Sequence, residues 1–121
     1  MTWMEAYFHW RSRLIEALDE RYYTPEWLDH LIMSGRAIFF PGDDCALVAE
    51  VRFYPTGARD IFIICTAGDP IKTRDQMVPK LEEWGRKAGC LAVAGESRIA
   101  WTRLLKPLGF DTYKTAVRKA L

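Results

Sequence analysis

The chain has 121 residues, half of them hydrophobic, and 17 basic against 16 acidic side chains leave a formal net charge of +1. That length suits a single domain, 1–121, and five Trp, five Tyr and six Phe supply an aromatic core that needs no disulfide staples. The near balance of charge argues against a generic nucleic-acid or membrane-surface binder, which carries a basic excess; only a local patch stays open.

Apolar residues at Trp3, Tyr7, Trp10, Leu14 and Leu18, widened by Phe8 and Ile15, step by three and four and predict a helix from Trp3 to about Tyr22. Thr24-Pro25-Glu26 then reads as an N-cap followed by proline at the first helical position. Trp27, Leu28, Leu31 and Ile32 give a short second amphipathic helix that Gly35 ends.

The period then changes. Ala37 to Phe40 is a short apolar strand closed by the turn Pro41-Gly42-Asp43-Asp44. Cys45 to Phe53 alternates, with Leu47, Ala49, Val51 and Phe53 on one side and Glu50 and Arg52 on the other. After the turn Pro55-Thr56-Gly57, the run Ile61 to Cys65 is apolar on both faces, as in a central strand covered twice. Helical spacing returns from Thr73 with Met77, Leu81, Trp84 and Ala88; Pro79 predicts a kink or a loose first turn, and Gly89 a stop. Leu91 to Ala94 reads as a buried strand, and Ser97 to about Leu108 as a helix with Trp101, Leu104, Leu105 and Leu108 inward. Thr112 to Val117 alternates again and predicts a last, edge strand.

The order is thus α-α-β-β-β-α-β-α-β: an α/β (α+β) domain with a mixed sheet of five or six strands and helices on both faces. Tight turns make the first three strands an antiparallel meander, and the β-α-β step from 61–65 to 91–94 makes a parallel crossover. Cys45, Cys65 and Cys90 are odd in number, widely spaced and flanked by apolar residues, so they read as buried reduced thiols. With only His9 and His30 beside them, they do not make a metal site. No apolar run is long enough for a bilayer, and Glu5, His9 and Arg11 stand where a signal peptide would be apolar. A cytoplasmic, reducing setting is expected.

The ending Arg98-x-x-Trp101-x-Arg103-Leu104-x-Lys106-x-x-Gly109-Phe110, together with that element order, resembles the second half of the GNAT N-acyltransferases. The stretch Asp60 to Phe110 is similar to short GNAT-like proteins encoded among the structural and packaging genes of tailed bacteriophages. The shared features are Gly68-Asp69 at a strand end, Glu83-Trp84-Gly85-Arg86 leading into Gly89-Cys90, and the Arg-x-x-Trp-x-Arg helix. Two departures stand out: the first strand usual before the paired N-terminal helices is missing, and one strand at most follows Phe110.

The resemblance implies a site for acetyl-CoA, whose pyrophosphate meets backbone N–H groups at the start of the helix after the central strand, through Arg/Gln-x-x-Gly-x-Gly/Ala. The candidates here are Cys65, Thr66, Gly68, Lys72 and Arg74. The stretch lacks a second glycine, Pro70 removes a donor, and Asp69 and Asp75 bring negative charge. Thr73-x-x-Gln76 reads as a capping box that satisfies the helix by itself, while Lys72 and Arg74 remain able to attract a phosphate from the side. The implied chemistry needs a general base, for which Glu50 and Asp60 are the candidates, and a Tyr acid at the position held by Leu105. Cys65 has no His neighbour in sequence and reads as core.

Arg98, Trp101 and Arg103 are the candidates for a partner-binding surface, set against a Trp101 packed inward between solvated arginines. Trp3, Met4, Tyr7, Phe8 and Trp10 exceed what one helix face usually buries, and the surplus suits a protein interface. Three readings follow. The first is a GNAT-fold phage or prophage protein, catalytically degenerate, acting by protein contacts in the virion or its assembly and needing no cofactor. The second is a small acyl-CoA-dependent N-acyltransferase with a non-standard CoA site. The third is a non-enzymatic phage protein that binds a host factor. None implies specific nucleic acid or a membrane, and a homo-oligomer stays open because an uncovered sheet edge invites pairing.

Overall fold

In a computed structural model covering all 121 residues, the chain opens with two capped helices. α1 (Trp3–Glu16) starts where the Thr2 side chain accepts the Glu5 amide, and it turns Ala6, Tyr7, Trp10 and Leu14 inward. It stops earlier than its pattern predicts. Asp19 takes both the amide and the guanidinium of Arg21 on its carboxylate, a local arrangement that competes with the next helical turn. α2 (Pro25–Met33) begins as expected, with Thr24 as N-cap and proline in the first turn. The two helices are clamped: Tyr7 Oη donates to Asp29 at 2.6 Å, and Arg11 forks onto the same carboxylate at 2.8 and 2.7 Å.

Four strands follow: β1 (Ile38–Pro41), β2 (Cys45–Phe53), β3 (Arg59–Gly68) and, after the next helices, β4 (Ala92–Gly95). They lie in the order β1-β2-β3-β4, the first three antiparallel and β3 parallel to β4. The pleat of β2 divides the core. Ala46 and Val48 join Tyr7, Trp10, Leu14, Leu28 and Phe39 on the α1/α2 side. Cys45, Leu47 and Ala49 join Ile61, Met77 and Leu81 on the other. The helices therefore cover both faces. Leu81 is fully buried, which is worth about 2–3 kcal/mol.

Between β3 and β4 the chain runs as α3 (Pro70–Lys72), a π-helical turn (Thr73–Met77) and α4 (Val78–Lys87). Pro79 cannot bond the Asp75 carbonyl, and in a regular helix its ring would strike it. The wide turn just before it, closed by Val78 N–H to Thr73 O, absorbs the conflict. The expected loosening at Pro79 takes this form.

Several expectations are corrected. The capping box at Thr73 and Gln76 does not form: Asp69 is the N-cap, and Thr73 hydroxyl donates to the Asp69 carbonyl instead. Phe53, on the same side of the strand as Leu47 and Ala49, is nonetheless 73% exposed at the end of β2. β4 buries only Ala94, and Leu91 before it faces solvent. α5 (Ile99–Leu105) and the 3-10 turn Lys106–Leu108 bury no residue; Trp101, Leu104 and Leu105 are half-buried and Leu108 is exposed. Cys90 is half-buried rather than fully buried.

The last strand is absent as well, so the sheet has four strands rather than five or six. Residues 110–121 form no ladder. Only Tyr113 and Val117 among 112–117 are large and apolar, and no layer lies there for them to pack on.

Candidate functional site

The fork between β3 and β4 is the distinctive feature of the sheet. The two strands pair from Asp60↔Ala92 to Ile63↔Gly95 and then part, leaving Ile64–Gly68 without a neighbour on that side. The parting coincides with a bulge. Pairing with β2 steps from Val48↔Cys65 to Ala49↔Ile63, so Ile64 is an extra residue that bends the strand. The uncovered edge leads directly to the start of α3.

At that start the structure spends its polar groups internally. The Asp69 carboxylate accepts the amides of Ile71 at 2.8 Å and Lys72 at 3.2 Å, and Pro70 has no amide to offer. The β1–β2 hairpin closes over the same place: Asp69 N–H donates to Asp44 O at 2.9 Å, and Asp43 N–H donates to Gln76 Oε1 at 3.2 Å. Lys72 Nζ lies 3.3 Å from both Asp43 and Asp44, whose carboxylates raise its pKa. Arg74 Nε bonds Asp75 at 2.7 Å and is held charged in the same way. Asp43, Asp44, Asp69 and Asp75 thus surround two cations, so the end of the helix that attracts anions carries a net negative ring.

The candidate residues separate on this frame. Gly68 (φ +92) is glycine for a structural reason: a Cβ there would collide with the Asp44 carbonyl and Cys45 Cα. Cys65 and Thr66 sit on the open part of β3 but face opposite sides, beside Val48 and Leu47 respectively. Burial pushes the Cys65 thiol up to about 12, away from nucleophilic use. Glu50 and Asp60 flank Arg52 and Phe62 on the paired half of the sheet. Glu50 accepts Arg52 Nε at 3.1 Å, and the Arg52 guanidinium lies 3.3 Å from the Phe62 ring centre. Leu105 closes α5, where no hydroxyl stands in for an acid.

Arg98 is the residue before α5, and Trp101 and Arg103, two apart, point to different sides of it. Arg103 lines an open cavity of about 400 Å³ with Thr102, Lys106, Phe110, Asp111 and Thr112. On α1, Tyr7 and Trp10 are core, whereas Trp3, Met4 and Phe8 remain exposed as the predicted surplus.

Sequence reading counted Asp69 and Asp75 as negative charge at this helix start but missed the cap that Asp69 makes and the carboxylates of Asp43 and Asp44. Asp69-Pro70 is itself an N-cap signature and was legible; Asp43 and Asp44 reach Lys72 only through the hairpin. CoA carries a pyrophosphate, and the residues at this helix start do not fit one: its amides are taken, one donor is missing and the charge is of the wrong sign.

The architecture is the GNAT N-acetyltransferase fold. The aminoglycoside 6'-N-acetyltransferase AAC(6')-IG from Acinetobacter haemolyticus superposes with a TM-score of 0.67 over 98% of this chain and 91% of its own, at 17% identity. Aminoglycoside N-acetyltransferase AAC(6')-Iy, solved in complex with CoA, gives 0.67 over 100% and 96%, at 15% identity. A transcriptional regulator from Bacillus halodurans C-125 gives 0.66 over 100% and 96%, at 14% identity. No protein-family model and no curated protein sequence matches the chain. At these identities the likeness is one of fold, and the mixed roles of these neighbours show how little fold says of activity. No helix is long and apolar enough to cross a membrane.

Proposed function

We propose that this chain is a GNAT-fold protein that has lost the pyrophosphate grip of CoA-dependent enzymes and works through protein contacts. One observation carries the reading: Asp69 caps the helix whose amides would otherwise meet the pyrophosphate, within a ring of four carboxylates around Lys72 and Arg74. The exposed Trp3, Met4 and Phe8 on α1 support the contact role. The setting, a phage or prophage protein of the virion or its assembly, rests on the resemblance of Asp60 to Phe110 and belongs to the proposal.

The test is a calorimetric titration with acetyl-CoA. No saturable heat at millimolar ligand is the expected result. Saturable micromolar binding that the Lys72→Ala/Arg74→Ala variant loses would overturn the reading.

A second reading is favoured by the open edge of β3. Its unpaired backbone groups over Ile64–Gly68 suit an extended, amide-bearing arm such as that of acyl-CoA. On that reading the chain is a small N-acyltransferase that grips the arm rather than the pyrophosphate, with Glu50 or Asp60 as base. Micromolar binding that survives loss of Lys72 and Arg74 is its signature.

A further inference from the structure

Charge is distributed unevenly along this nearly neutral chain. Residues 98–121 hold Arg98, Arg103, Lys106, Lys114, Arg118 and Lys119 against the single acid Asp111, a net +5. The other 97 residues hold eleven basic and fifteen acidic side chains, a net −4. The basic part is also the unpacked part: from Glu96 onward no residue is buried, and Ile99, Tyr113 and Val117 are 86%, 61% and 93% exposed.

The sheet has an edge to match. The outer side of β4 carries no strand, and Ala92–Gly95 has none of the lysines, prolines or bulges that normally guard an edge. The opposite edge, β1, ends in Pro41. Meanwhile 112–117 alternates as a strand should and has no ladder.

We propose that segment 110–121 of one copy adds as a strand to the β4 edge of a second copy, and that the exchange is reciprocal, closing a two-fold dimer. The pleat supports it. Asp60 stands in register with Ala92, and Glu96 follows Gly95, so the two carboxylates lie on one side about 13 Å apart at ~3.3 Å per residue. Neither has a cation within ion-pair distance. Lys114 and Arg118 share one side of the segment at the same four-residue spacing. Setting them against Asp60 and Glu96 turns Tyr113 and Val117 toward the side of Val93 and the exposed Leu91. One register therefore satisfies charge and apolar area together.

A second copy suits this better than the same chain. Within one copy Arg118 reaches Asp19 at 3.5 Å and lies 4.9 Å from the Tyr22 ring centre, which takes the segment to the end of α1 rather than along β4. That pair is long and exposed, so giving it up costs little. Each copy then has one segment to offer and one edge to fill, and the assembly closes at two. The contact is independent of whether acetyl-CoA binds.

The experiment is sedimentation equilibrium from low micromolar to hundreds of micromolar protein. Wild type is expected to approach twice the 14.0 kDa monomer mass, and the chain shortened at Gly109 to stay monomeric. Lys114→Glu/Arg118→Glu and Asp60→Lys/Glu96→Lys should each weaken the dimer at least ~10-fold, and combining all four in one chain should restore it. Hydrogen exchange should show the amides of Ala92–Gly95 that point away from β3 protected only in the dimer. A monomer throughout, a dimer that survives the shortening, or charge variants without effect would each overturn the proposal. Protection of those outward amides in a monomer would assign the edge to the chain's own segment instead.

Discussion

Replacing Asp69 by alanine separates the two jobs that this residue does. It removes the acceptor of the Ile71 and Lys72 amides, bonded at 2.8 and 3.2 Å, and one of the four carboxylates at the helix start. Loss of an aspartate N-cap costs about 1–2 kcal/mol. For a domain of this size that lowers the melting temperature by about 4–8 °C. The same change frees two amides at the positive end of the helix, so the variant gains an anion site that the wild type lacks. Pyrophosphate at ten times its dissociation constant then returns about 1.4 kcal/mol, close to what the cap supplied. Thermal unfolding of both proteins with and without pyrophosphate, at matched ionic strength, reads both effects. Equal stabilisation of wild type and variant would refute the argument that Asp69 blocks the site, and an Asp69→Ala protein as stable as wild type would refute the cap itself.

Three further results are expected. Gly68→Ala should cost about 3 kcal/mol in urea unfolding, because a Cβ there meets the Asp44 carbonyl at positive φ. Gly35→Ala, also at positive φ but with nothing within 4 Å, should cost only about 1 kcal/mol. The hydrogen bonds from Arg11 hold the Asp29 carboxyl below its ordinary range, against the opposing effect of burial. Its folded pKa is depressed, so its contribution is complete above about pH 4 and is lost as pH falls through the folded value. Asp29→Asn should therefore lose about 2 kcal/mol at neutral pH and little in acid, seen as a flatter fluorescence-monitored stability profile. Thiol titration should modify half-buried Cys90 first, with Cys45 and Cys65, both raised by burial, reacting only on unfolding. Fast reaction of either in the native protein would contradict their place in the core.

Most elements were legible because their signals are local. Thr24-Pro25 caps α2 as its residue types require, and the alternation of β2 matches its split between two core layers. Errors arose where two local rules competed. Thr73 and Gln76 fit a capping box, but Asp69-Pro70 claims the helix start four residues earlier, and Gln76 is drawn to Asp43 by the hairpin. The predicted strand at 112–117 has the right period and nothing to lie against. Alternation says which face a strand would bury, not whether a layer waits to cover it.

The site divides along the same line. The sequence by itself determined the meander, the crossover, the helices on both sides and the poverty of glycine and donors after β3, since each depends on residue types at short spacing. Only the tertiary structure decided that Gly68 serves the approach of Asp44, that Asp43 and Asp44 engage Lys72, and that β3 and β4 part at the Ile64 bulge. These depend on how a hairpin and a helix start, far apart in the chain, are brought together. Local periodicity does not encode that distance; the packing of two helical layers on one sheet does.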